Sequence, residues 1–208
     1  MSTYSPSTSQ NSSTISRDNT DNKASIETAI IYCEGNFSAI DGKTANGLVR
    51  HSERYKILSV IDSEKSGLDT GEVLDDIANG IPIHRDLAES LAALKDKPHY
   101  FIFGMAPSSG MLSIHDRSII IEAMNNGINV INGLHEFLND DPIFKAAAIA
   151  NDVVIRDIRK PRDKKDLRLF SGQVMDIPCR RIAILGTDCA IGKRTTATIL
   201  TRFLMNVA

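Results

Sequence analysis

The chain reads as an α/β protein: a doubly wound parallel sheet, followed by the first strand, phosphate-binding loop and helix of an incomplete second domain. Three observations carry this. Short apolar runs without polar alternation recur along residues 28–160, as expected of strands buried on both faces. Amphipathic segments with helix start and stop signals separate those runs, the order in which crossover helices join parallel strands. Near the end, an apolar run leads straight into a glycine-flanked loop that carries a lysine and opens a helix.

Taken in order, residues 1–27 are dominated by Ser, Thr, Asn and Asp and are predicted to form a disordered tail, since they bury too little apolar area to offset the entropy of ordering. Strands are predicted over 29–33 (AIIYC), 56–61 (KILSVI), 100–104 (YFIFG), 128–131 (INVI), 152–158 (DVVIRDI) and 181–185 (RIAIL). Leu87, Leu91 and Leu94 line one face of a helix after Arg85. Ser113, with Asp116 three residues on, caps another helix that Gly127 closes, and Asp141-Pro142 opens a third. These elements form a first domain over 28–160, then a linker over 161–178 and the opening of a second domain over 179–208. The charged stretch RDIRKPRDKKDLR, residues 156–168, reads as the start of a solvated linker, with contact to ligand phosphates as the alternative.

Composition narrows the function. With 24 Lys+Arg against 26 Asp+Glu and a formal charge of -2, no broad positive field exists for nucleic acid or an anionic membrane, and small-molecule chemistry is favoured. Cys33, Cys179 and Cys189 are odd in number and widely spaced, which argues against a disulfide framework or a structural zinc site and for a cytoplasmic setting. No run approaches the length of a membrane span, and the first residues lack the order of a signal peptide. His51, His84, His99 and His115 have no carboxylate at metal-ligand spacing, so no metal site is predicted. A small-molecule substrate is the expected partner, and homo-oligomerisation stays open.

The sharpest motif is Gly186-Thr187-Asp188-Cys189-Ala190-Ile191-Gly192-Lys193-Arg194-Thr195-Thr196. Its glycines let backbone N–H groups curl inward, the helix N-terminus adds positive potential, and Lys193 supplies a movable charge, which makes Gly186, Thr187, Asp188, Gly192, Lys193, Arg194, Thr195 and Thr196 the predicted cofactor contacts. Five residues separate Gly186 from Gly192, a spacing similar to the loop of dethiobiotin synthetase. Arg194 stands where a magnesium-binding hydroxyl normally follows the lysine, and moving that hydroxyl to Thr195 turns it by about 100° around the helix. Phosphate binding tolerates this better than magnesium-nucleotide hydrolysis does.

A second GK[ST], Gly42-Lys43-Thr44, has the wrong spacing behind it and reads as a helix start. The loop 104–111 leaves the carboxyl end of a central strand, where open parallel sheets bind ligands, so Gly104, Pro107, Ser108, Ser109 and Gly110 are predicted to border substrate. Asp62 ends the second strand and is read either as an acceptor for ribose hydroxyls or as the opener of the turn at Ser63. His135 is the candidate general base, with a structural histidine as the alternative.

The segments AIIYCEGNF, GKTANGLVRHSERYKILSVIDSEKSGLDTGEVLD, GIPIHRDLAESLAAL, FIFGMAP, NGINVINGLHEFL and GTDCAIGKRTT together resemble the DgcN-like (D-glutamate N-acetyltransferase-like) family from about residue 28 onward. The resemblance implies a Rossmann-like N-terminal domain, a C-terminal P-loop domain, and acetyl transfer from acetyl-CoA to the amine of a D-amino acid. The element order from GIPIH to GINVINGL also resembles the CoA-binding domain of succinyl-CoA ligases, in architecture alone. Family members continue past the P-loop helix, and the last helix here is apolar on nearly every side, so the chain is expected to be an incomplete form. Two alternatives remain: an ATP- and magnesium-dependent ligase or kinase resembling dethiobiotin synthetase, and a non-catalytic module that binds CoA or a nucleotide.

Overall fold

The structure, a computed structural model, describes residues 26–188 and 191–207. Nearly all of the tail expected over 1–27 therefore lies outside the described residues, and Glu27 already belongs to the first strand. The described chain divides into a first unit ending at Pro161 and a second beginning at Arg162.

The first unit contains β1 (Glu27–Tyr32), α1 (Lys43–His51), β2 (Tyr55–Ile61), α2 (Thr70–Asp75), β3 (Ile83–His84), α3 (Leu87–Ala93), β4 (Tyr100–Phe103), α4 (Ile114–Asn125), β5 (Asn129–Asn132), α5 (Pro142–Ala150) and β6 (Ile155–Asp157). All six strands pair in parallel in the order β3-β2-β1-β4-β5-β6. The chain thus starts in the middle of the sheet, builds outward on one side and returns to build the other. That reversal leaves a crevice between the carboxyl ends of β1 and β4.

The apolar runs form the strands because both sheet faces are covered. Ala29, Ile30, Ile31 and Phe101 are fully buried, and the four residues of β4 are all buried. Tyr32 stacks on Phe101 at 5.9 Å between ring centroids and lies as close to Phe103, so aromatic packing runs along the two central strands. The predicted caps form as read. Ser113 and Asp116 make a reciprocal capping box at the start of α4, and Asp141 accepts from the Ile143 amide with Pro142 in the first turn of α5. Leu87 is buried and Leu91 and Leu94 pack against the core from α3 and its C-terminal flank.

Two features depart from the expectations. The two-residue strand β3, paired to β2 at Val60 and Ile61, is too short to leave a periodic signal. The strand predicted over 181–185 does not form: those residues are irregular, and Ile182 and Leu185 are exposed. A strand exists only through its ladder, and among the described residues no segment of the second unit pairs with RIAIL. The second unit instead carries short 3-10 turns at Lys164–Asp166 and Gln173–Met175 and the helix α6 (Lys193–Val207), which has no buried residue.

Burial also sets an alkaline limit on the first unit. The Cys33 thiol, at the carboxyl end of β1, is pushed up to about 12 by desolvation and the neighbouring Asp62 carboxylate. Burial and the Asp116 carboxylate raise the Tyr32 hydroxyl in the same direction. Each group is neutral in the fold and ionises more readily unfolded, so the stabilisation is complete below the ordinary thiol range and is lost as pH climbs toward 12. In native protein at pH 8, a disulfide-exchange reagent is expected to label exposed Cys179 and spare Cys33. Peptide mapping of the labelled chain checks this, and prompt modification of Cys33 would contradict the buried placement.

Candidate functional site

The described residues on the two sides of the loop predicted to bind phosphate come close together. Gly192 adopts a left-handed conformation with φ +86, which an L side chain resists, and the Thr196 amide donates to the Gly192 carbonyl at 2.9 Å to open α6. The Lys193 ammonium donates to the backbone carbonyl of Asp188, so its charge lies across the loop rather than out along the helix. A Cβ on Gly186 would sit 2.3 Å from Ile191 Cδ1 and 3.2 Å from Lys193 Cδ, so glycine is what lets the two ends of the loop approach. Lys193 is half-buried, whereas Gly186, Thr187, Asp188, Gly192, Arg194, Thr195 and Thr196 are exposed. Cys189 and Ala190 lie outside the described residues.

In the first unit, Asp62 is the turn opener and its side chain faces inward. The fully buried carboxylate accepts from the amides of Gly35 at 3.2 Å, Phe37 at 3.0 Å and Glu64 at 3.0 Å, with Lys65 Nζ at 3.6 Å. Both oxygens are thereby tied to the β1–α1 loop and the turn at Ser63, and the side chain has no exposed surface to offer a ribose hydroxyl. Glu34 reinforces the join by accepting from the Ser63 amide at 3.0 Å and from its hydroxyl. Nothing in sequence spacing announces this junction; the parallel neighbours β1 and β2 bring it together.

Gly104 likewise belongs to the packing rather than to a pocket wall. A Cβ there would meet Ile31 Cγ2 at 2.5 Å and Ala45 Cβ at 2.9 Å, and its carbonyl accepts from the Ala45 amide at 3.0 Å, which seats α1 on the sheet. Gly42 serves the same seating: α1 starts at Lys43, as the helix-start reading of the second GK[ST] holds. Beyond Gly104 the loop rises to the surface. Ser108 and Ser109 are exposed, Pro107 and Gly110 half-buried, and Gly110 at φ +69 closes the turn by donating to the Pro107 carbonyl at 2.9 Å. This turn is the part of the predicted rim that faces solvent.

His135 is exposed, and its Nε2 lies 2.8 Å from Arg159 Nη1. A guanidinium only donates, so Nε2 carries the lone pair and Nδ1 the proton. The candidate base therefore sits at the surface with Arg159 against its Nε2. The register of β5 with β6, Asn132 opposite Asp157, is what delivers Arg159 to a histidine 24 positions earlier. The following Glu136 is also engaged, accepting from Arg117 at 2.6 Å and from the Leu112 amide at 2.7 Å. Arg117 further bonds Asp141, whose carboxyl it holds below the usual range, and so ties α4 to the start of α5.

Among the described residues, no group of three or more His, Cys, Asp and Glu side chains is placed to hold a metal ion. No described helix is long and apolar enough to cross a membrane.

Comparison with known proteins agrees with this division of the chain. Residues 63–161 match the model of the "Domain of unknown function (DUF1611_N) Rossmann-like domain", and residues 168–206 match the "Domain of unknown function (DUF1611_C) P-loop domain". The chain is 31% identical over 100 residues to a D-glutamate N-acetyltransferase of a Pseudoalteromonas species, covering 48% of this chain and 29% of that protein. It is 28% identical over 96 residues to the enzyme of the same name from Tritonibacter scottomollicae, covering 46% of this chain and 28% of that one. The crystal structure of a DUF1611 family protein from Anabaena variabilis superposes with a TM-score of 0.72 at 30% identity, over 82% of this chain and 48% of the crystallised one. The matches thus span less than a third of the curated relatives and about half of the solved structure. The resemblance drawn from the motifs holds: with a Rossmann-like unit and the opening of a P-loop domain in consecutive order, the chain belongs to the DUF1611 family.

Proposed function

We propose that this chain takes part in transferring an acetyl group from acetyl-CoA to the amine of a D-amino acid of the D-glutamate type. One observation carries the cofactor half of this reading: the Lys193 ammonium, folded over a loop that Gly192 closes, stands where a phosphate arriving at the N-terminus of α6 displaces the Asp188 carbonyl as its acceptor. The fifteen-residue helix behind it adds the positive potential of its N-terminus at the same place. Arg194 next to the lysine adds charge rather than a magnesium ligand, which favours the pyrophosphate of a CoA over a magnesium nucleotide. The names of the two curated relatives support the acyl-transfer half.

Acetyl-CoA, when bound, supplies an acyl group already activated as a thioester. The work left to these residues is holding and orienting. On the first unit, the turn from Pro107 to Gly110 offers the Ser108 and Ser109 hydroxyls for the polar groups of an amino acid. Removal of a proton from the amine by His135 requires Arg159 to withdraw from Nε2 first.

Calorimetric titration of the chain with acetyl-CoA and, separately, with Mg-ATP tests the reading. Heat is expected with acetyl-CoA, and Lys193→Ala is expected to weaken binding at least tenfold, the scale of one charge-assisted contact to phosphate. Heat with Mg-ATP alone would assign the loop to a ligase or kinase, and acetyl-CoA binding without turnover on D-glutamate would make the chain a binding module.

A further inference from the structure

Each described arginine of the first unit has a partner. Arg50 pairs with Asp75, Arg54 and Arg156 approach Glu27, Arg85 pairs with Asp86, Arg117 with Glu136 and Asp141, and Arg159 with His135. Arg162 and Arg168 differ. Among the described residues neither has a hydrogen bond or an ion pair, and both line one open cavity of about 540 Å³ in the second unit. Lys165, Asp166 and Leu167 complete its lining.

The local backbone explains why the cations converge. Residues 164–166 form a 3-10 turn, with the Asp166 amide donating to the Asp163 carbonyl at 2.8 Å. The flanking Asp163 (φ -57, ψ 148) and Leu167 (φ -69, ψ 132) lie near the polyproline conformation. Both conformations repeat at about three residues per turn, and the basic side chains at 162, 165 and 168 are three apart. Lys165 has only Asp163, at 3.8 Å with both side chains well exposed, a pair that water largely screens. Three cations therefore face one cavity against a single lining carboxylate, Asp166. Their mutual repulsion is relieved by an anion, and two guanidinium forks suit the tetrahedral oxygens of a phosphate. The apolar wall of Leu167 and the acceptor oxygens of Asp166 suit an organic carrier with its own hydroxyl or amino donors, as a nucleoside has.

We propose that the cavity formed by Arg162, Lys165, Asp166, Leu167 and Arg168 is a binding site for a phosphate monoester, and that the ester it takes is the ribose phosphate of a CoA. The second half of that statement rests on the acetyl-CoA reading; the first stands on the cavity alone. The site makes no use of the Lys193 loop, so it can be tested separately.

The test is calorimetry of the full chain in low salt with three probes: CoA, dephospho-CoA, which lacks the ribose phosphate, and inorganic phosphate. Wild type is expected to bind CoA about tenfold more tightly than dephospho-CoA, the worth of roughly one charged hydrogen-bond pair. In the double variant Arg162→Gln/Arg168→Gln that preference should vanish while dephospho-CoA affinity and the circular dichroism spectrum stay unchanged. Lys193→Ala should weaken both CoA forms alike and preserve their ratio. If Lys193→Ala changes nothing but the double variant still loses the preference, the P-loop reading fails and this site stands. Loss of inorganic phosphate binding in the double variant, without any preference between the CoA forms in wild type, keeps the phosphate site and overturns its assignment to CoA. Equal affinity of wild type and double variant for all three probes, or no binding of any probe by wild type, overturns the proposal.

Discussion

An Asp62→Ala chain is expected to lose about 3–5 kcal/mol of stability, the range for removing one partner from a buried charged network. Alanine leaves the amides of Gly35, Phe37 and Glu64 facing a void that the carboxylate filled, and each orphaned donor costs on the order of 1–3 kcal/mol before relaxation. Asp62→Asn should recover part of the loss, because one amide oxygen remains to accept while the NH2 group now opposes an N–H. Urea titration followed by far-ultraviolet circular dichroism measures both variants; the chain has no tryptophan to report by fluorescence. A midpoint unchanged in Asp62→Ala, together with weaker cofactor binding, would return Asp62 to the role of ligand contact.

Gly42→Ala should destabilise the first unit by about 3 kcal/mol, the upper part of the usual range for overpacking a close contact. The backbone conformation at Gly42, φ -84 and ψ 6, suits any residue, so the cost is steric. The added Cβ would stand 2.0 Å from the Asn36 carbonyl oxygen, 2.9 Å from its carbon and 3.0 Å from Cys33 Sγ. Asn36 cannot retreat easily, since its amide donates to the Cys33 carbonyl at 3.0 Å and its side chain to the Glu34 carbonyl at 2.7 Å. Gly47, five residues on and inside α1, is the internal control: a Cβ there meets nothing within 4 Å, and Gly47→Ala should stabilise by about 0.5–1 kcal/mol through helix propensity. Thermal unfolding of the two variants should therefore move in opposite directions. Parallel shifts would mean that the α1 seat is looser than these distances require.

Local signals were enough for much of the first unit. The buried runs of β1, β2, β4 and β5, the capping box at Ser113 and the Asp141-Pro142 start lie in contiguous residues, and contiguous residues are what periodicity and capping read. The run at 181–185 is the instructive failure. Its composition suits a strand, yet a parallel strand draws its stability from neighbours, and RIAIL has none among the described residues of the second unit. The candidate site divides along the same line. Lys193 and its glycines were legible because the whole loop is one short stretch, whereas the fates of Asp62, Gly104 and His135 depended on groups brought in from elsewhere in the chain.

Chemical type and local geometry, then, were written in consecutive residues: alternating α and β elements and a curled lysine loop. Availability was not. The Asp62 carboxylate, the Gly104 backbone and the His135 imidazole each have chemistry suited to a ligand, and in the folded sheet each is committed to a neighbour instead. A side chain's reactivity belongs to its own atoms, but whether its lone pair is free is settled largely by partners distant in the chain, 24 positions from His135 to Arg159 and 25 and 27 from Asp62 back to Phe37 and Gly35. Hydrogen bonds of that reach come into being only when parallel strands have already placed their ends side by side.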